Sequence, residues 1–184
     1  MNNGLTAALF AALLAATACA GNSKQARRVN PAPCPNIVVL NDAARVIEFD
    51  GEEVVEDVAY TGEITNVSVG CRYLEDEPID MSISLEMAFG RGPKGDETEK
   101  IFSYFVAVTR KDLEIITKNE FPVLVKFNDN RMVSVQEDKV DKILIPRAND
   151  SISGENFEIV VGFKLTAEQA GFNRSGKSLK FPHL

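Results

Sequence analysis

The chain has 184 residues, a hydrophobic share of 45% and a charged share of 26%, which allows one domain with a real core and argues against wholesale disorder or a polytopic membrane protein. The formal net charge is -7, and residues 20–33 hold Lys24, Arg27 and Arg28 with no acid, so the chain beyond Pro33 carries about -10 (-7 less +3). A surface of that sign repels phosphate backbones, and no basic stripe interleaved with aromatics offsets it, so nucleic acid is set aside as a partner.

Residues 1–18 read as a signal peptide. Leu5 to Ala18 is an uncharged apolar run ending in small side chains, about fourteen residues long, too short for a permanent membrane helix and right for a leader core. Ala16-Thr17-Ala18 before Cys19 resembles the lipobox of bacterial lipoproteins, which implies cleavage before Cys19 and lipidation of that residue by a palmitate-type acyl anchor. The same small residues also satisfy the small-x-small rule of ordinary signal peptidase, so simple secretion stays open. Ala20 after the cysteine, in place of an aspartate, resembles the outer-membrane class. Residues 19–33 are then the lipidated Cys19 and a polar, proline-ended tether that reaches about 40 to 45 Å when fully extended.

Of three cysteines, assigning Cys19 to lipid leaves Cys34 and Cys71 as a pair, which an exported protein is expected to join as a disulfide. Such a bond closes a loop of roughly 38 residues and contributes about 4 kcal/mol on the chain-entropy model. It pins the start of the domain to the end of its second or third strand.

From Asn36 to Leu165 the dominant period is two, the spacing of side chains that alternate across a sheet. Residues 80–89, DMSISLEMAF, are the clearest case, with large apolar side chains at the odd positions. Phe121-Val123-Val125-Phe127 and Ile159-Val161-Phe163-Leu165 repeat the pattern, while Tyr104 to Val108 is apolar on both faces and suits a central strand. Thr109–Asp112 and Asn128–Arg131 read as hairpin connections. A change of parity between Ile64 and Val67 predicts a bulge near Thr65 and Asn66. Asp42 to Arg45 is compatible with one helical turn, and Thr166 with Gln169 forms a capping box that predicts a short helix. These elements predict an all-β fold: a single antiparallel, immunoglobulin-like β-sandwich of about seven to nine strands over residues 34–172, a short C-terminal helix, and a loose basic tail over 173–184.

Several motifs tempt a chemical reading. Gly171 to Ser178 spells a phosphate-binding P-loop, but it follows a predicted helix and leaves no room for the strand and helix that make such a loop work, so no nucleotide is expected. Gly90 to Asp96 reads as a mobile loop rather than a phosphate cradle. Glu75, Asp76, Glu77 and Asp80 match no calcium-loop spacing, and no metal is expected. The one histidine, His183, sits beside the C-terminus, which deprives a serine or cysteine nucleophile of its base. Glu63, Glu86, Glu120 and Glu158 lie on strands and keep a carboxylate hydrolase in play, although alternation puts them on polar faces. No catalytic residue and no cofactor is assigned.

Taken together, Pro33-Cys34-Pro35, Val39-Leu40-Asn41-Asp42-Ala43-Ala44-Arg45, Gly62-Glu63-Ile64, Cys71-Arg72-Tyr73, Tyr104-Phe105-Val106-Ala107-Val108-Thr109, Asn130-Arg131, Gly162-Phe163-Lys164-Leu165-Thr166, Glu168-Gln169 and Asn173-Arg174 resemble a group of small alphaproteobacterial envelope lipoproteins. The resemblance runs from Cys34 to about Arg174. It implies an envelope location and one β domain, and it carries over no functional residues. The expected function is a non-enzymatic binding or structural module of the periplasm and outer membrane. Its partners would be membrane lipid, through the acyl anchor, and another envelope protein. The alternatives are a small-ligand carrier or sensor binding between the sheets and, third, the carboxylate hydrolase.

Overall fold

The computed structural model describes residues 33–74, 77–111, 114–128 and 131–180. Among them are eight strands: β1 Asn36–Val39, β2 Arg45–Phe49, β3 Val58–Arg72, β4 Ile79–Arg91, β5 Glu99–Arg110, β6 Ile115–Lys126, β7 Val133–Ile145 and β8 Phe157–Phe163. One α-helix, α1, follows over Ala167–Arg174. The strands form two four-stranded sheets, ordered β1-β8-β5-β6 and β2-β3-β4-β7. No helix among the described residues is long and apolar enough to cross a membrane.

β4 shows why the sheets face each other. Its residues Ile79, Met81, Ile83, Leu85, Met87 and Phe89 are each no more than 1% exposed, so one face of the strand is wholly dry. A fully buried side chain of this size contributes about 1.5–3 kcal/mol. Phe89 reaches across to the other sheet, 4.6 Å from Phe102 on β5 and 5.9 Å from Phe163 on β8, ring centre to ring centre. β5 lies between β8 and β6, the central place its two-sided apolar run predicts.

The chain adjusts its alternation where the sequence changes parity. In β3 the register against β4 shifts between Ile64 and Asn66. Ahead of the shift Tyr60 and Ile64 face the core; beyond it Val67 and Cys71 do. The Thr65 hydroxyl lies 3.1 Å from the Glu86 carbonyl oxygen and 3.0 Å from its carboxylate, and donates to one of them at the bulge. β7 repeats the device: its register shifts between the partners of Met81 and Ile83, and Lys142 there takes φ 60°, so Val140 and Ile143 both pack against the core.

Two expectations about strand pairing are corrected. β1 and β8 run parallel, so the sandwich is not wholly antiparallel; most of the domain separates them in sequence, and so long a connection places no limit on strand direction. Asn128–Arg131 is not a hairpin, because β6 pairs with β5 and β7 with β4. That connection carries the chain from one sheet to the other, whereas 111–114 does join the β5–β6 hairpin.

α1 starts as its capping box dictates: the Thr166 side chain accepts from the Gln169 N–H, and the Gln169 side chain accepts from the Thr166 N–H. Phe172 packs with Ile47, Val58 and Phe49 on the outer side of β2, and Asn173 Nδ2 donates to the Asp42 and Arg45 carbonyls at 2.9 and 2.8 Å. The basic tail begins inside this helix. Its described part, to Lys180, folds back with Arg174 on Asp42, Lys177 on Glu53 and Ser178 buried.

The glycine-rich 90–96 segment, read as mobile, is held along β3. Gly92 N–H donates to the Ala59 carbonyl at 2.8 Å and Lys94 N–H to that of Val58 at 3.0 Å. A Cβ on Gly92 would lie 2.2 Å from the Val58 oxygen, whereas one on Gly171, inside α1, would meet nothing within 4 Å. Gly92→Ala is therefore expected to cost about 2–3 kcal/mol in urea denaturation. Gly171→Ala is expected to gain up to about 1 kcal/mol from helix propensity in the same assay.

Candidate functional site

A group of long-range polar contacts gathers where the chain enters the domain. Cys34 is joined to Cys71 by a disulfide, with Cα atoms 5.7 Å apart. Cys71 is the next-to-last residue of β3, the third strand. Two residues on, the Tyr73 side chain is 4% exposed. Its hydroxyl donates to the Pro33 carbonyl at 2.6 Å and accepts from the Gly154 N–H at 2.7 Å. One phenol thus ties the incoming chain, the end of β3 and the β7–β8 connection.

Arg147 closes this end of the sandwich. Its guanidinium lies 5.3 Å from the centre of the Tyr73 ring, Nε donates to the Glu77 carbonyl at 2.7 Å, and Nη1 lies 3.2 Å from that of Asp150. Gly154 has no room for a side chain, since a Cβ would stand 2.6 Å from both the Pro33 oxygen and the Pro35 nitrogen. The chemistry is that of a clamp: a covalent bond, a shared hydroxyl and a cation over a ring hold three segments far apart in sequence.

A second polar contact crosses the core. Tyr104, fully buried and stacked 5.3 Å from Phe121, donates from its hydroxyl to Asp138 Oδ2 at 2.8 Å, joining β5 of one sheet to β7 of the other. Burial, and then the bond to the Asp138 carboxylate, push the phenol well above its ordinary range. On the same side of β2 as the core, Lys100 reaches Glu48 at 2.8 Å and lies 4.8 Å from the Tyr60 ring centre. The bond to Glu48 raises the lysine against the opposing effect of burial.

The other sequence-picked residues lie apart from the clamp. Cys19, the leader 1–18, most of the tether, Glu75, Asp76 and His183 lie outside the described residues. Glu63 and Glu86 are on the outer face of one sheet, where Glu63 pairs with Arg45 at 2.8 Å. Glu120 and Glu158 are on the outer face of the other, where the bond from Lys164 holds the Glu120 carboxyl below its ordinary range. Asp80 pairs with Arg72 at 2.6 Å. Gly171 to Ser178 runs out of the C-terminal end of α1, the end whose dipole disfavours phosphate. Among the described residues, no three His, Cys, Asp or Glu side chains gather as a metal-binding group.

Sequence reading found the two cysteines but missed Tyr73, Arg147 and the Tyr104–Asp138 pair. Cys71-Arg72-Tyr73 was visible as a string, yet nothing in it tells that the tyrosine turns back to Pro33. No protein-family model, curated protein or solved structure matches the chain.

Tyr73→Phe keeps the ring and leaves the Pro33 carbonyl and the Gly154 N–H without their partner; a loss of about 1–3 kcal/mol in chemical denaturation is expected. Because the folded state holds the Tyr104 proton more tightly than the unfolded chain does, its contribution is complete below the ordinary tyrosine value of about 10 and is lost as pH climbs beyond it. The denaturation midpoint should fall above that pH, and fall less steeply in Tyr104→Phe.

Proposed function

We propose that this chain is an exported envelope lipoprotein, freed of its leader at Cys19, anchored by acyl chains on that residue, and facing the periplasm from the outer membrane. Its β domain is then a non-enzymatic binding or structural module that engages another envelope protein. The observation that carries this reading is the Cys34–Cys71 disulfide, set just beyond the tether. Structural disulfides persist in oxidising compartments outside the cytoplasm, and this one secures the domain at the point where an anchored tether would pull.

The kinship with small alphaproteobacterial envelope lipoproteins belongs to the same proposal, as does the division into leader, tether, domain and tail. The immunoglobulin-like description is kept for the architecture, two facing sheets with strands that pass between them, and not for strand order. β2, β3 and β4 follow one another across their sheet, unlike the immunoglobulin arrangement.

A module is favoured over a carrier because large side chains occupy the space between the sheets: Phe89, Tyr104, Phe163, Met81 and Met87 are all 2% exposed or less. It is favoured over a carboxylate hydrolase because the four strand glutamates divide between two outer faces instead of lining one cleft.

Cys19→Ser tests the anchor. The variant should move from the membrane to the soluble periplasmic fraction, and the mature wild-type N-terminus should carry the mass of its acyl chains. Unchanged fractionation, or an unmodified N-terminus, would remove the lipoprotein reading.

A further inference from the structure

We propose that the Cys34–Cys71 disulfide is a redox latch on β1, so that a dithiol reductant releases this one strand and leaves the rest of the sandwich closed. β1 is the most weakly held strand. It has four residues, none fully buried, and it pairs on one side only, with β8 from Asn36 opposite Glu158 to Val39 opposite Val161. Toward the other sheet Ile37 and Val39 are only partly buried against the core, and a cleft of about 250 Å³ opens between them and residues 64–67 at the β3 bulge. Short edge elements with little buried surface are the first to open locally.

Besides the β8 ladder and this partial packing, β1 is restrained at its two ends. Beyond its C-terminal end, Leu40 N–H donates to the Val161 carbonyl at 2.8 Å, and Asn173 and Arg174 of α1 hold Asp42. That end is a fixed hinge. At the N-terminal end the covalent link runs from Cys34, two residues before β1, to Cys71 in β3, a strand laddered to β4 from Tyr60 opposite Arg91 to Arg72 opposite Asp80. With the link broken, that end keeps the Tyr73–Pro33 hydrogen bond and the packing of Pro35 against Gly154. Both cysteines are half-buried and not sealed in the core.

The exchange balances. A thiolate of the dithiol attacks one sulfur and forms a mixed disulfide; its second thiol then displaces that sulfur. Cys34 and Cys71 end as two thiols, the dithiol ends as a disulfide, and two electrons and two protons have moved to the protein. Release of residues 34–39 would lengthen the tether by about 20 Å. It would also bare the edge of β8, whose Ile159 and Val161 are 0% exposed with β1 in place. The latch does not depend on acylation of Cys19.

Hydrogen–deuterium exchange of the purified protein, before and after reduction with dithiothreitol, tests the latch. Amides of β1 at residues 37–39 are expected to exchange at least about tenfold faster once the bond is open, while those of Leu40 at the hinge and of β4 from Met81 to Phe89 keep their rates. Cys34→Ser should reproduce the reduced pattern without any reductant. Unchanged rates at 37–39 would overturn the proposal, as would an equal acceleration in β4, which would mean that the bond holds the whole domain and not one strand.

Discussion

Everything in this domain leans on the dry face of β4. Six side chains from Ile79 to Phe89 give up water completely, and they can do so only because β3 and β7 flank the strand while β5 and β8 cover it through Phe102 and Phe163. Burial of apolar surface is non-directional. The direction comes from the pleat, which sends every second side chain the same way.

That requirement explains the irregularities. A strand of fifteen residues such as β3 can hold a single parity only if its sequence does, and this one changes between Ile64 and Val67. The bulge at Thr65 absorbs the extra residue, so both halves of the strand face the core. At Lys142 the same adjustment brings Val140 and Ile143 inward on an edge strand whose first half sends Ser134, Gln136 and Asp138 that way instead. Inward-facing polar groups and a bulge also blunt an edge against pairing with another chain. Asp138 is tolerated there because Tyr104 supplies its hydrogen bond, and an unpaired carboxylate in that place would be costly.

The polar clamp at Tyr73 solves a different problem. The incoming chain has little apolar surface to bury: β1 is four residues long, and its side chains are at best half-buried. A short strand of that kind does not hold itself. The domain adds directional contacts to the partial packing of Ile37 and Val39, namely the bond to Cys71, the phenol shared by Pro33 and Gly154, and the guanidinium of Arg147 over the ring. Such contacts act at one point and can be undone at one point, whereas the β4 core loosens only as a whole.

Much of this was legible in the sequence. Period two along 79–89, the doubly apolar run at 104–108, the parity change at Thr65 and the capping box at Thr166 each act over a few residues, so local order alone determined a β fold with a bulge near Thr65 and a short helix after the last strand. The pairing of Cys34 with Cys71 followed from counting cysteines, with Cys19 reserved for lipid. Strand order did not follow, because the turn residues at 128–131 look the same whether the chain doubles back beside β6 or crosses to β7. The parallel seating of β1 on β8, the packing of the 90–96 segment along β3, and the meeting of Tyr73 with Pro33 and of Tyr104 with Asp138 join residues far apart in the chain. Only the closing of two sheets over one core sets those distances, and no local pattern encodes them.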